Sequence, residues 1–208
     1  QGYAYEYRPV VLASFALEHQ LFGETPVVSH FFNILFYSLC CLTLFQVLLQ
    51  LLPGYSPYIP LAITLLFVSH SSHTEVVCSI KNRDEILALL FALLSFHVAL
   101  KAIKLSKQWM FVFIPILFTA ALMSKTTIVS FALLIPIGIS LFTKTPLKTV
   151  LAIALLLQTP SYFLLNLGTG FEKATVQLGM AVITLGIYSI ANYKKTVENV
   201  EGLMNAAN

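Results

Sequence analysis

Long apolar stretches, separated by short polar segments, run through most of the chain. A helix needs about 20 mostly apolar residues to cross a bilayer. On this criterion the sequence predicts seven apolar segments, at residues 30–52, 58–69, 86–100, 109–123, 127–142, 149–165 and 174–192. The pattern therefore predicts an all-α fold, a polytopic transmembrane helix bundle of about six to seven spans.

Composition supports this interpretation. Of the 208 residues 58% are hydrophobic and 10% are charged, and the mean hydropathy is +0.84. A soluble domain carries about 25% charged residues, and one of this size could not bury so much apolar surface. A soluble, disordered or disulfide-scaffold protein is therefore excluded. The net charge of +3 is too small for a nucleic-acid partner, and membrane lipid is the partner we expect.

Three regions follow from the polarity pattern. Residues 1–29 are mixed and predict an external interfacial segment, residues 30–192 a transmembrane helical domain, and residues 193–208 a polar cytoplasmic tail. Within the first region, apolar residues at helical spacing predict a short amphipathic helix at the membrane surface: Val11, Leu12, Phe15 and Ala16. Because no signal peptide precedes this segment, we expect the N-terminus to continue a longer protein.

The distribution of charge predicts an orientation. Alternating spans that start outside would place seven lysines in the cytoplasmic turns and tail: Lys101, Lys104, Lys107, Lys144, Lys148, Lys194 and Lys195. This agrees with the tendency of basic residues to lie in the cytoplasmic loops of membrane proteins. Three polar segments, Tyr3–Glu24, His70–Glu85 and Ser124–Thr126, would then meet on the periplasmic or luminal face. Polar groups within a membrane protein cost free energy to place, so their clustering at one membrane surface indicates a functional site there.

One candidate site lies at His70, His73 and Glu75. Two histidines three residues apart share a helix face, but a zinc site needs a third protein ligand, so we assign no metal here. The three side chains could hydrogen-bond a phosphate or a sugar. Alternatively, the segment is a polar turn that caps two spans, with Asp84 near a helix N-terminus.

A second candidate site combines the two arginines of the chain, Arg8 and Arg83, with Lys125. A guanidinium binds phosphate oxygens through a planar fork, so these cations could cradle an anionic lipid phosphate. The alternative is that each cation extends to the headgroup level without a ligand. Farther along, His30 and Asn33 open the first long span and could simply cap it.

Four motifs in order resemble those of a known enzyme family. They are Tyr7-Arg8-Pro9-Val10 with the following His30-x-x-Asn33, His70-x-x-His73-Thr74-Glu75, Arg83-Asp84-x-Ile86-Leu87, and Ser124-Lys125-Thr126. Over residues 3–143 the chain resembles GT-C membrane glycosyltransferases, most nearly the transmembrane and tetratricopeptide-repeat O-mannosyltransferases and their bacterial relatives. The resemblance implies a GT-C-like bundle that here lacks the first span and the first luminal loop, where the family carries its catalytic acids.

The resemblance also implies an activity. Such an enzyme takes a sugar, for this family mannose, from a polyprenyl-phosphate donor and passes it to a protein Ser or Thr hydroxyl or to a lipid or glycan. The phosphate contacts would be Arg8, Arg83 and Lys125. His70, His73 and Glu75 would orient donor or acceptor, with His73 and Glu75 as candidate catalytic residues, and Asp84 and Glu85 would shape the site. A requirement for a divalent metal stays open.

The expected membrane is the bacterial inner membrane or the endoplasmic reticulum, with the site on the periplasmic or luminal side. Two other functions remain as alternatives. The chain could be a non-catalytic assembly subunit of a larger membrane complex, or a lipid or solute transporter. A transporter is the weaker alternative, because the spans show no matched halves.

Overall fold

The structure is a computed structural model, and it describes residues 8–165. This range contains eight α-helices and no strand. The helices are α1 (Pro9–Phe22), α2 (Pro26–Leu51), α3 (Tyr58–Val68), α4 (Ser71–Cys78), α5 (Arg83–Leu105), α6 (Phe113–Ser124), α7 (Phe131–Phe142) and α8 (Leu147–Leu165). Short 3-10 turns at Ile80–Asn82, Gln108–Val112 and Thr126–Ser130 precede α5, α6 and α7. The all-α prediction is confirmed there, and the predicted segment 174–192 and tail 193–208 lie outside the described residues.

Two of the described helical segments are long and apolar enough to cross a membrane, Pro26–Leu51 and Ile80–Leu105. A third crossing results if α3 and α4, which meet at a bend of 61°, are counted as one broken span. The remaining apolar segments, Gln108–Ser124, Thr126–Phe142 and Leu147–Ser161, are shorter. The count of six to seven spans stays a prediction, as do the three regions of the chain.

The chain divides into two compact units, Gln1–Phe131 and Ala132–Asn208. The described part of the second unit consists of most of α7 and of α8. In α8 the buried residues Val150, Ile153, Ala154 and Leu157 recur at helical spacing and form one face. All of the candidate site residues described below belong to the first unit.

In the first unit, α2 and α5 pack side by side and run in the same direction. Near their starts the Asn33 amide contacts Arg83, farther along Cys40 Sγ lies 3.4 Å from the carbonyl of Ile86, and near their ends Gln50 Nε2 lies 2.8 Å from His97 Nδ1. Parallel neighbours require the chain to return between them. Helices α3 and α4 form that return, which agrees with the alternation of crossings on which the predicted orientation rests.

Helix α6 runs antiparallel to α5. Ser95 Oγ in mid-α5 donates to the carbonyl of Ile114 at 3.0 Å, and Lys125, just past the end of α6, reaches Glu85 in the first turn of α5. The starts of α2 and α5 and the end of α6 therefore lie together, and we call this the polar end of the unit. Asp84 and Glu85 occupy the first turn of α5 and Lys104 its last turn, the arrangement that the helix dipole favours.

Helix α1 confirms the helix expected near Val11, but its two faces differ from a simple amphipathic pattern. The inward face buries Val11 together with the carboxylate residue Glu18. Leu12, Leu17 and Leu21 are more than half exposed. The outward apolar side chains suit contact with lipid. Glu18 faces the protein interior because its partner Arg83 lies there.

Candidate functional site

The polar end is organised around Arg83, the first residue of α5, whose exposure is 0%. Its Nη1 donates to Glu18 Oε2 at 2.6 Å, its Nε to Asn33 Oδ1 at 2.8 Å, and its Nη2 to the carbonyl of Ser29 at 3.0 Å. The guanidinium carbon also lies 3.9 Å from the centre of the Phe15 ring. A buried guanidinium needs this much compensation, because desolvating a charge without a partner costs several kcal/mol.

The groups that hold Arg83 are themselves held. Ser29 Oγ donates to Glu18 Oε1, and Asn33 Nδ2 donates to the carbonyl of Ser79 at 3.2 Å. The network thus ties α1, the start of α2 and the turn before α5 into one unit. Asn33, which we expected only to cap a helix, is fully buried and bridges two elements instead.

The burial of Arg83 bears on its predicted role. We predicted a direct phosphate contact, but its Nε, Nη1 and Nη2 donors all have protein partners and none of the side chain reaches the surface. Arg83 is placed to fix the start of α5 and hence to position its neighbour Asp84. The other two predicted cations, Arg8 and Lys125, remain partly exposed.

Arg8 and Lys125 meet at Asp84. The Arg8 guanidinium pairs with Asp84 Oδ2, and Lys125 Nζ lies 3.4 Å from the same oxygen and 2.6 Å from Glu85 Oε1. The side chain of Asp84 is 3% exposed, whereas those of Arg8 and Lys125 are 32% and 21% exposed. Three segments far apart in sequence therefore bring two cations over one buried carboxylate, and part of each cation faces solvent.

The pKa of Lys125 reflects opposing effects. Burial alone would lower it, but the hydrogen bond to Glu85 and the charges of Asp84 and Glu85 together raise the pKa above its ordinary value. Lys125 therefore stays a cation at neutral pH. A fixed ammonium beside a guanidinium can hold an anion or stabilise negative charge on a leaving group.

His70, His73 and Glu75 lie on or just before α4. His70 caps this helix, since its Nδ1 accepts from the Ser72 amide at 3.3 Å. The ring of His73 packs 4.3 Å from that of Phe67 and 5.7 Å from those of Tyr37 and His70, and Glu75 is exposed. His70 is the N-cap of α4 and His73 lies in its first turn, so the two rings contact each other at the start of the helix.

A metal site finds no support in the described part of the chain. Within it, no three His, Cys, Asp or Glu side chains are grouped so that they could hold a metal ion, and Cys40, Cys41 and Cys78 are free thiols.

The sequence analysis missed Glu18, Ser29 and Ser79 as parts of the polar end. A signal existed for Glu18 alone, since a carboxylate between Leu17 and Phe22 in an apolar helix needs a partner when it faces inward. Ser29 contributes its hydroxyl and its backbone carbonyl to the network and Ser79 its carbonyl, and a carbonyl leaves no mark on the sequence.

Part of the chain is similar in sequence to proteins named as O-mannosyltransferases. Over 129 residues, 62% of this chain, it is 30% identical to "Protein O-mannosyl-transferase Tmtc1" of Drosophila melanogaster. It is 37% identical over 43% of its length to "Protein O-mannosyl-transferase TMTC2" of Homo sapiens, and 33% identical over 43% to "Protein O-mannosyl-transferase TMTC4" of Mus musculus. The chain spans 15%, 10% and 14% of these relatives.

No family model matches the chain, and no solved structure matches it either. The apolar helices and these relatives indicate an integral membrane protein with partial homology to protein O-mannosyltransferases. The homology supports a transferase role and covers only part of each protein.

Proposed function

We propose that the chain is the membrane core, or part of it, of a glycosyltransferase that moves a sugar, mannose by analogy with its relatives, from a polyprenyl-phosphate donor. The acceptor is a Ser or Thr hydroxyl of a protein. The observation that carries the proposal is the convergence of Arg8 and Lys125 on Asp84 at the end of a bundle of apolar helices. The named relatives supply the reaction class.

The chemistry of the donor explains why such a cluster is useful. A polyprenyl-phosphate sugar is a lipid whose phosphate sits at the membrane surface, beside the ends of spanning helices. When the sugar leaves, the phosphate gains negative charge, and cations already in place stabilise that charge without rearranging. In this proposal the half-buried heads of Arg8 and Lys125 bind the phosphate, and Asp84 keeps both in position from below.

The remaining residues take supporting roles. Arg83, held by Glu18 and Asn33, fixes the turn that carries Asp84. His70, His73 and Glu75 on α4 are proposed to orient the sugar or the acceptor, with the aromatic contact of His73 holding its ring in place. We place this end of the bundle on the periplasmic or luminal side, of the bacterial inner membrane or the endoplasmic reticulum, because the lysines of α5 lie at the other end.

The test is donor binding by the chain in lipid nanodiscs. We expect binding of polyprenyl-phosphate mannose, weakened roughly tenfold by Lys125→Met or Arg8→Met, since a charge-assisted contact to phosphate contributes about 1.5–3 kcal/mol. Lys107→Met is the matched control, because it removes a cation next to the far end of α5. Equal binding by all four proteins, or no binding by the unaltered chain, would refute the proposal.

A second candidate, a non-catalytic assembly subunit, is favoured by one observation. The acids Asp84 and Glu85 balance the cations Arg8 and Lys125 one for one, as in a purely structural cluster. Under this hypothesis Lys125→Met lowers thermal stability and leaves donor binding unchanged, so the same experiment separates the two functions.

A further inference from the structure

A cleft of about 440 Å³ opens beside the polar end, where α1 ends and α2 begins. Phe15, Pro26 and Ile80 supply its apolar walls, and Glu18, His19 and Glu24 supply its charged and titratable groups. Its volume lies in the range of small-ligand sites. No residue of this lining is a lysine or an arginine, in contrast to the neighbouring cluster of Arg8 and Lys125.

The charge of the cleft comes from Glu24. The charge of Glu18 is compensated by Arg83, with which it forms a buried ion pair at 2.6 Å. Glu24 lies on the rim with its side chain 85% exposed, and its Oε1 is 3.2 Å from His19 Nε2. The Glu24 carboxylate therefore lies at the opening. The cleft therefore repels a phosphate and attracts a cationic or neutral ligand.

The cleft also adjoins the proposed donor site. Glu18 in its wall binds Arg83, and Arg83 is the chain neighbour of Asp84, with Cα atoms about 3.8 Å apart. The cleft and the cations Arg8 and Lys125 thus lie near the same first turn of α5. Sugar transfer requires the acceptor oxygen within about 3–3.5 Å of the reacting sugar carbon, so the hydroxyl of a peptide anchored in the cleft must reach the sugar at the donor site.

We infer that this cleft binds the acceptor, an extended polypeptide segment whose Ser or Thr hydroxyl is flanked by lysine or arginine. The apolar walls take the aliphatic stem of the basic side chain, and the Glu24 carboxylate pairs with its charged head. The identification of the peptide as the acceptor rests on the proposed function. The preference of the cleft for a basic peptide does not depend on the donor.

Binding of three labelled peptides of equal length tests the preference, each centred on threonine and flanked by lysine, alanine or glutamate. The chain is held in nanodiscs of zwitterionic phosphatidylcholine, so that the lipid does not attract the basic peptide. We expect the lysine peptide to bind most tightly and the glutamate peptide most weakly. Glu24→Gln should weaken the lysine peptide roughly three- to fivefold at low salt and leave the alanine peptide unchanged.

Two variants serve as controls. Glu24→Asp keeps the charge and should keep the preference. Lys107→Gln changes the net charge by one unit outside the cleft, and it should have no effect if attraction is local. An unchanged ranking in Glu24→Gln, or binding of the lysine peptide that a neutral oligosaccharide competes away at equal concentration, would overturn the inference.

The two binding experiments distinguish a failure of this inference from a failure of the proposed function. If polyprenyl-phosphate mannose binds but the three peptides bind alike, the acceptor cleft is wrong and the donor site stands. If the donor does not bind but Glu24 controls the peptide preference, the transferase proposal is wrong and the cleft stands as a site for basic peptides.

Discussion

Glu18 and Arg83 are 65 positions apart in the sequence and form an ion pair at 2.6 Å, with 7% and 1% of their side chains exposed. The pair joins α1 to the start of α5. The chain has two arginines, and one of them, Arg83, forms a contact that is buried from solvent. The polar end is therefore a scaffold first, and the partly exposed cations Arg8 and Lys125 rest on it.

Removing one member of this pair should destabilise the protein strongly. We expect Arg83→Met or Glu18→Gln to cost roughly 3–5 kcal/mol, because each leaves a buried charge without its partner. Thermal unfolding in a mild detergent measures the effect.

The double variant Glu18→Gln/Arg83→Met completes the cycle. It should cost clearly less than the sum of the two single changes, since neither charge is then left alone. Strictly additive losses would mean that the two residues do not interact as the structure describes.

Gly23 separates α1 from α2 and adopts φ 73° and ψ −169°. This region of backbone space is open to glycine almost exclusively. A Cβ at this position would meet no atom within 4 Å, so any cost of Gly23→Ala comes from the backbone alone. We expect a loss of about 1–3 kcal/mol in the free energy of unfolding.

Gly54→Ala is the matched control for that change. A Cβ at Gly54 also meets nothing within 4 Å, and its φ lies outside the positive range. We expect a change of less than about 0.5 kcal/mol. Similar losses at both glycines would argue against the backbone explanation.

Asn33 hydrogen-bonds both Arg83 and the carbonyl of Ser79. Asn33→Leu keeps a similar volume but leaves Arg83 Nε and the Ser79 carbonyl without this partner, at a cost of about 1–3 kcal/mol. Ser38→Ala is the control from the same helix, because the exposed Ser38 only returns a hydrogen bond to Ile34 four residues earlier. Chemical denaturation of the two variants should separate them clearly.

The ion pairs of Lys125 predict a pH dependence. The pKa of Lys125 is raised above its ordinary value of 10.5, so the folded state holds the proton more tightly than the unfolded chain. Its contribution to stability is complete below about pH 10.5 and is lost as the pH rises through the higher folded pKa. The contribution should be at most about 1 kcal/mol, because solvent screens the exposed Glu85.

The difference in melting temperature between the native protein and Lys125→Met isolates this contribution from other groups that titrate in alkali. It should stay constant between about pH 6 and 9 and shrink above pH 10.5. A difference that vanished near neutral pH would contradict the assigned ion pairs.

The helices were predictable where apolar runs are long. Residues 30–52 correspond to α2, which begins earlier at Pro26 because proline is well suited to the first helical turn. Helix α5 begins at Arg83, before the predicted apolar segment 86–100, since Arg83, Asp84 and Glu85 are too polar to count in an apolar run. They are helical because acids favour the first turn and Arg83 finds buried partners.

The site was predictable only in part. The expectation that Arg8, Arg83 and Lys125 belong together came from charge placement, and the structure does bring their segments to one end. The burial of each cation could not be predicted from the sequence in the same way. Arg8 and Arg83 are the same residue type, and only the positions of Glu18 and Asn33, set by tertiary packing, make one a scaffold and leave the other partly exposed.

The separation of Glu18 from Arg83 also orders events during synthesis. At about 5–20 residues per second, the ribosome needs roughly 3–13 seconds to add the 65 residues between them. Throughout that interval α1 exists without the guanidinium that neutralises its buried acid. Helix α1 therefore lacks the partner of its buried acid until the start of α5 has been made, and the ion pair forms only after most of this unit has been synthesised.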